Sequence, residues 1–186
     1  NSSDFFVSHF FRYQPCEFNS YMSGNWLPKW RSQEDLVLTK LSVIFLGTSS
    51  ATPTKSRSLP SIAIRREGEV ILMDCGEGVQ RQFVRHGLGL NREMVIAISH
   101  LHGDHVNGLL GLLQTMSMTQ RLRKITIIAP SDLFRWLRFT MKILHIGLTF
   151  DINFIKAKSG LLFEGRDYRI TVQRADHAIE SYAYLF

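Results

Sequence analysis

Cysteine is scarce. The two residues, Cys16 and Cys75, form no Cys-x-x-Cys pair in a chain of 186 and cannot build a disulfide framework, so a reducing compartment is expected and pairing between them is not. Long apolar runs are also missing, because Arg, Lys or Asp interrupts every hydrophobic stretch before the roughly 18 residues that a membrane span needs. A soluble protein with no membrane partner is expected. The first residues, Asn-Ser-Ser-Asp-Phe-Phe, offer neither the positive n-region nor the apolar h-region of a secretory signal, so nothing here targets export and a cytoplasmic location is expected. A starting Met is lacking too, and Met22 is a candidate natural start. Nothing resembling a turn, cap or tail follows the alternating Ser181-Tyr-Ala-Tyr-Leu-Phe186, so the chain reads as truncated. No internal repeat or low-complexity tract is present, and 45% hydrophobic with 20% charged residues excludes disorder and collagen in favour of one sizeable core.

Charge becomes informative once it is divided by region. Residues 1–40 balance four basic against four acidic side chains, which leaves eighteen against twelve in residues 41–186 and puts the whole excess of +6 there. A basic domain suits an anionic partner such as nucleic acid, through phosphate neutralisation and counterion release, or else carries a merely solubilising cationic surface.

Residues 1–40 are aromatic and polar without a sustained period, and read as an irregular extension. Regular structure begins with a strand over residues 41–46, closed by Gly47 and a loop containing Pro53 and Pro60. A hairpin follows, with strands over residues 62–65 and 70–73 around Glu67-Gly68, and the second strand runs into Asp74. Residues 77–86 carry a helical stripe of Val79, Phe83 and Val84, with Gly87 as a stop. Residues 95–98 form a short buried strand, and a buried helix starts near Val106. Residues 125–128 are another strand, after which Ser131 is placed to cap a helix carrying Leu133, Phe134, Leu137, Met141 and Leu144. Strands over residues 152–155, 168–172 and from Tyr182 onward complete a layered α/β domain with a mixed sheet.

Chemistry concentrates in Ser99-His-Leu-His-Gly-Asp-His105. Four potential ligands, His100, His102, Asp104 and His105, fall within six residues, after an apolar strand and before an apolar helix. Imidazole nitrogen and carboxylate oxygen are donors that zinc prefers, and a strand-to-helix loop can converge them on one small volume. In an extended stretch His100 and His102 point the same way and can grip one metal. Gly103 permits a turn that swings Asp104 and His105 toward a neighbouring position for a second metal. His9, His86 and His145 stand alone and are read as surface or locally satisfied residues. The basic run Arg121, Arg123 and Lys124 reads as a solvated face.

These motifs carry a resemblance. His-x-His-x-Asp-His after a strand, with Asp74 ending an earlier strand, resembles the metallo-β-lactamase superfamily, whose fold is an αββα sandwich of two mixed sheets between helical layers. Phe45-Leu-Gly-Thr48, Pro53-Thr-Lys55-Ser-Arg57, Asp74-Cys-Gly-Glu-Gly78 with Gln80, the histidine motif, and Gly108-Leu-Leu-Gly111 together resemble ribonuclease Z, the zinc endonuclease that trims the 3′ trailer from precursor tRNA. Asp176-His177 before Ser181-Tyr-Ala-Tyr184 matches that family's next ligand histidine. The resemblance spans residues 41–186, which would be the N-terminal part of the catalytic domain. Ser58 stands where the family usually has Asn, and Ala183 where it usually has Gly.

The resemblance implies that His100, His102 and His177 hold one zinc firmly and that Asp104 and His105 begin a second site. The bridging Asp, the last ligand His, a further catalytic His and the tRNA-gripping arm would lie beyond position 186. It further implies a homodimer acting on precursor tRNA. A zinc-bound water has a pKa near 7, two zincs stabilise both oxygens of a phosphodiester in displacement, and Asp104 accepts the water's proton. Asp74 either orients a ligand histidine or is a buried structural carboxylate. Lys55 and Arg57 either contact RNA or belong to a solvated loop. Alternative readings keep the fold but change the substrate to small phosphodiesters, sulfate esters or thioesters, or make the chain a non-catalytic half domain. As a half sandwich, residues 41–186 would expose an apolar sheet face and an unpaired edge, and the chain alone would associate and fail to cleave precursor tRNA.

Overall fold

The computed structural model describes residues 41–186. The irregular extension expected over residues 1–40, with Cys16 and Met22, lies outside the described residues. Nine strands and four helices follow in the order β1 (Leu41–Gly47), β2 (Ser61–Arg66), β3 (Glu69–Met73), α1 (Val79–Arg85), β4 (Glu93–Ala97), α2 (Gly103–Val106), α3 (Gly108–Met118), β5 (Ile125–Ala129), α4 (Ser131–Ile143), β6 (Ile152–Lys156), β7 (Gly160–Glu164), β8 (Arg169–Ala175) and β9 (Ser181–Leu185). The first six strands form one sheet in sequential order, and β7 to β9 form a second. The loop over residues 48–60 returns β2 antiparallel to β1 and a hairpin turn makes β2–β3 antiparallel, whereas helical crossovers make β3, β4, β5 and β6 parallel.

Two cores follow from the period of two along the central strands. Val70 and Leu72, Met94 and Ile96, and Ile125 and Ile127 point to the helices, where they meet Phe83, Leu109, Leu112, Leu113, Met116, Leu133 and Leu137. The intervening Ile71, Val95, Ala97 and Ile128 face the second sheet and pack on Ile170, Val172, Tyr182 and Tyr184. The expectation of a bare apolar face is therefore corrected: three antiparallel strands already cover the middle of the first sheet. The stripe Leu41, Val43 and Phe45 on β1 shares this face through the pairs Val43–Ile64 and Phe45–Ile62, and it is exposed among the described residues.

Three further differences have local causes. A fourth late strand, β7, pairs with β8 through a register shift at Leu161–Phe163. Ser131 makes no capping hydrogen bond and is the first helical residue after Pro130, while Phe134 on α4 and Leu144, which follows the helix, are exposed. Arg121 belongs to no solvated face. It is fully buried, its guanidinium donates to the carbonyls of Arg123 at 2.7 Å, Leu90 at 2.5 Å and Lys124 at 3.2 Å, and it lies 5.5 Å from the Phe150 ring centre. These carbonyls belong to loops that have no ladder partner, so the side chain replaces backbone pairing. Arg121→Met leaves three acceptors unpaired and is expected to lower unfolding stability by about 2–4 kcal/mol in urea denaturation.

Candidate metal centre

Strand register brings the chemistry to one end of the first sheet. Phe45 pairs with Ile62, Ile62 with Met73 and Met73 with Ala97, so the loops leaving β1, β3 and β4 emerge together. Asp74 continues β3 by donating its N–H to the Ala97 carbonyl, then turns in the left-handed region at φ 57, a conformation that Asp tolerates better than most residues. The turn sends Cys75 and Gly76 beneath the helices. Cys75 N donates to the His105 carbonyl at 2.7 Å and Gly108 N to the Cys75 carbonyl at 2.9 Å. A Cβ on Gly108 would lie 2.0 Å from the Gly76 carbonyl oxygen, so only glycine lets the two segments touch. Gly103 has a different role from the one expected. Its φ is not positive, and what it provides is room for the Asn107 side chain, whose Nδ2 would lie 2.7 Å from an added Cβ.

His100 and His102 leave the end of β4, and Asp104 and His105 occupy the first turn of α2. His177 arrives from the second sheet, on the loop between β8 and β9. That loop is fixed by Tyr182 N donating to the Ser99 carbonyl at 2.9 Å and by the Tyr184 hydroxyl donating to the Ile98 carbonyl at 2.7 Å. Among the described residues, His100, His102 and His177 each place a ring nitrogen within 4.8 Å of the others. His177 Nε2 and His102 Nδ1 are 3.3 Å apart, a separation at which two lone pairs need a cation or a proton between them. Beside them His105 Nε2 lies 3.4 Å from Asp104 Oδ2, and the His100 and His105 ring centres are 4.1 Å apart.

Asp74 and Ser99 underlie this cluster. Asp74 Oδ1 accepts from Ser99 N at 2.7 Å; Oδ2 accepts from the Ser99 hydroxyl at 2.9 Å and from His105 Nδ1 at 2.7 Å. Of the two roles open to Asp74, the geometry is that of an acceptor orienting a histidine. Sequence reasoning missed Ser99, whose only signal was its position before His100. Lys55 and Arg57 are exposed at a turn held by Thr54, whose N–H donates to the Arg57 carbonyl and whose Oγ1 accepts from Arg57 N. Their loop leaves the metal end of the sheet, and neither side chain joins the histidine cluster. Cys75 is a buried free thiol, its pKa pushed well up by burial and then by the Asp74 charge.

Burial, followed by the charges of neighbouring histidines, lowers the His100 pKa to about 4, so the ring is neutral and able to donate a lone pair at neutral pH. Burial also opposes the charged form of His105, but the Asp74 hydrogen bond and charge, with Asp104, outweigh it and raise its pKa. The two act on stability in opposite windows. For His100 the unfolded chain binds the proton first, so stability falls as pH drops from 6.5 toward about 4. For His105 the contribution is full below 6.5 and is lost as pH rises through the raised value. Denaturation of the metal-free protein across pH is expected to show greatest stability near the ordinary histidine pKa of about 6.5.

Three convergent imidazoles, one of them held neutral, fit a borderline divalent ion with an open fourth position. A mixed sheet covered by helices on one face and by an antiparallel sheet on the other, with histidines gathered where the sheets meet, is part of the layering of the metallo-β-lactamase fold, and YhfI of Bacillus subtilis, a metallo-β-lactamase fold protein, superposes with TM-score 0.61 at 18% identity over 77% of this chain and 56% of that one. Residues 41–185 match the family model described as Anti-Pycsar protein Apyc1, and the chain belongs to that family. It is 42% identical over 146 residues to Ribonuclease Z of Nitrosopumilus maritimus, covering 78% of this chain and 49% of that protein. Ribonuclease Z of Methanothermobacter thermautotrophicus is 41% identical over 78% of this chain and 48% of its own length. Human tRNase Z, short form, superposes with TM-score 0.67 and 33% identity over 76% of this chain and 63% of that chain. The resemblance to ribonuclease Z read from the motifs is borne out. The chain spans about half the length of the curated relatives it matches. Among the described residues no helix is long and apolar enough to cross a membrane.

Proposed function

We propose that this chain carries the metal-binding half of a zinc-dependent endoribonuclease that removes the 3′ trailer from precursor tRNA and leaves a 3′-hydroxyl. The observation that carries this reading is the convergence of His100, His102 and His177 beside Asp104 and His105, in a chain 42% identical to a protein named Ribonuclease Z. In this reading the three histidines hold one zinc firmly, and Asp104 and His105 begin a second site. When bound, the metal supplies Lewis acidity toward phosphate oxygens and lowers the pKa of an attacking water. Asp104 accepts the proton of that water. Asp74 and Ser99 hold the rings beneath, and Lys55 and Arg57, extended from the same end of the sheet, bind backbone phosphate and set the RNA over the site. Residues 41–186 then constitute the N-terminal part of the catalytic domain, preceded by an extension over residues 1–40. A cytoplasmic homodimer belongs to this reading, through the resemblance and through the reducing compartment that scarce cysteine suits.

The test is a chimaera in which residues 41–186 replace the matching 146 residues of the Nitrosopumilus maritimus relative. Supplied with zinc, it is assayed on precursor tRNA beside bis-p-nitrophenyl phosphate. Trailer removal with far higher efficiency than hydrolysis of the small ester is expected. Hydrolysis of the small ester without tRNA cleavage would favour the alternative substrate class.

A further inference from the structure

We infer that Ser99 is a positioning residue that fixes which nitrogen of His100 is offered to a metal, so that one carboxylate, Asp74, sets the imidazole tautomer in both halves of the centre. The inference rests on reading His100 as a metal ligand, and it concerns the proton on the far side of that ring.

The available hydrogens decide the tautomer. Asp74, as a carboxylate, can only accept, and the Ser99 hydroxyl has a single hydrogen. That hydrogen goes to Asp74 Oδ2, 2.9 Å away. Ser99 Oγ also stands 2.8 Å from His100 Nδ1, and two lone pairs would repel at that distance. The hydrogen in this contact therefore comes from Nδ1, which leaves the lone pair of His100 on Nε2. His105 reaches the same oxygen directly, its Nδ1–H donating to Asp74 Oδ2 at 2.7 Å, which leaves Nε2, on the side of Asp104, as the nitrogen turned toward a metal. Asp74, Ser99, His100 and His105 are all buried, which leaves little room for water to supply a substitute donor. Ser99 is itself held from both directions, by its N–H to Asp74 Oδ1 and by its carbonyl accepting from Tyr182 N. A carboxylate acting on a ligand histidine through a hydroxyl is thus paired with one acting on its neighbour directly. Imidazole free in water favours the other tautomer, with hydrogen on Nε2, so loss of the hydroxyl makes metal binding compete against a proton shift within the ring.

The experiment uses the 186-residue chain with ¹⁵N-labelled histidine, read by long-range ¹H–¹⁵N correlation without metal and by competition for zinc against a chromophoric chelator. Wild type is expected to show His100 and His105 both protonated on Nδ1. In Ser99→Ala, His100 shifts toward Nε2–H while His105 keeps Nδ1–H, and zinc affinity falls roughly 10–100-fold, the range for losing an outer hydrogen-bond partner of a ligand. Ser99→Thr, which keeps the hydroxyl, restores the tautomer and most of the affinity; Asp74→Asn disturbs both rings. A wild-type His100 protonated on Nε2 would overturn the inference without any variant. Unchanged tautomer and zinc affinity in Ser99→Ala would overturn it equally. Failure of zinc to perturb wild-type His100 would instead remove the metal reading, while the metal-free spectra still decide what Ser99 does.

Discussion

Asp104→Ala in the chimaera is expected to lower precursor-tRNA cleavage roughly 10²–10⁴-fold, the range for losing a positioned proton acceptor. Affinity for precursor tRNA is expected to change less than about threefold, because phosphate contacts set most of it. The separation follows from position. Asp104 lies in the first turn of α2, 3.4 Å from His105 Nε2, whereas the exposed cations Lys55 and Arg57 come from a different loop. Single-turnover rates and equilibrium binding measure the two quantities independently. Equal losses in both would take Asp104 out of the chemistry and make it part of the RNA-binding surface.

His177→Ala is expected to weaken zinc binding roughly a hundredfold or more, because two imidazoles with water cannot reproduce a three-histidine site. The metal-free fold should lose less than about 0.5 kcal/mol, since His177 is exposed on a loop and truncation there opens no cavity. His100→Ala does not separate the effects in this way: that ring is buried and contacts the Ser99 hydroxyl, so fold and metal are lost together. Chelator competition and urea denaturation, run on both variants, distinguish a ligand from a core residue.

What could be read in the sequence was local and periodic. Val70, Leu72, Ile96 and Ile127 alternate with Ile71, Ala97 and Ile128, and that period of two is what makes the central strands legible. The histidine motif is legible because four ligand types within six residues at a strand end have few other uses. β7 escaped because Leu161, Leu162 and Phe163 are consecutive apolar residues, and the register shift in the β7–β8 pairing breaks the alternation. Arg121 escaped because charge in sequence says nothing about carbonyls: Leu90, one of its three acceptors, is 31 residues away. Ser99 is the case with most consequence. Its partner Asp74 lies 25 residues upstream, and only the parallel pairing of β3 with β4 brings hydroxyl and carboxylate together. His177 was legible through resemblance alone, since its approach to His102 depends on how β9 docks on Ser99.

Metal content of the 186-residue chain bears most directly on the three-histidine site. After saturation with zinc and exhaustive dialysis, elemental analysis is expected to give close to one zinc per chain for wild type and almost none for His177→Ala. A wild-type chain that retains no zinc, or zinc retained equally by His177→Ala, would contradict a centre built on His100, His102 and His177.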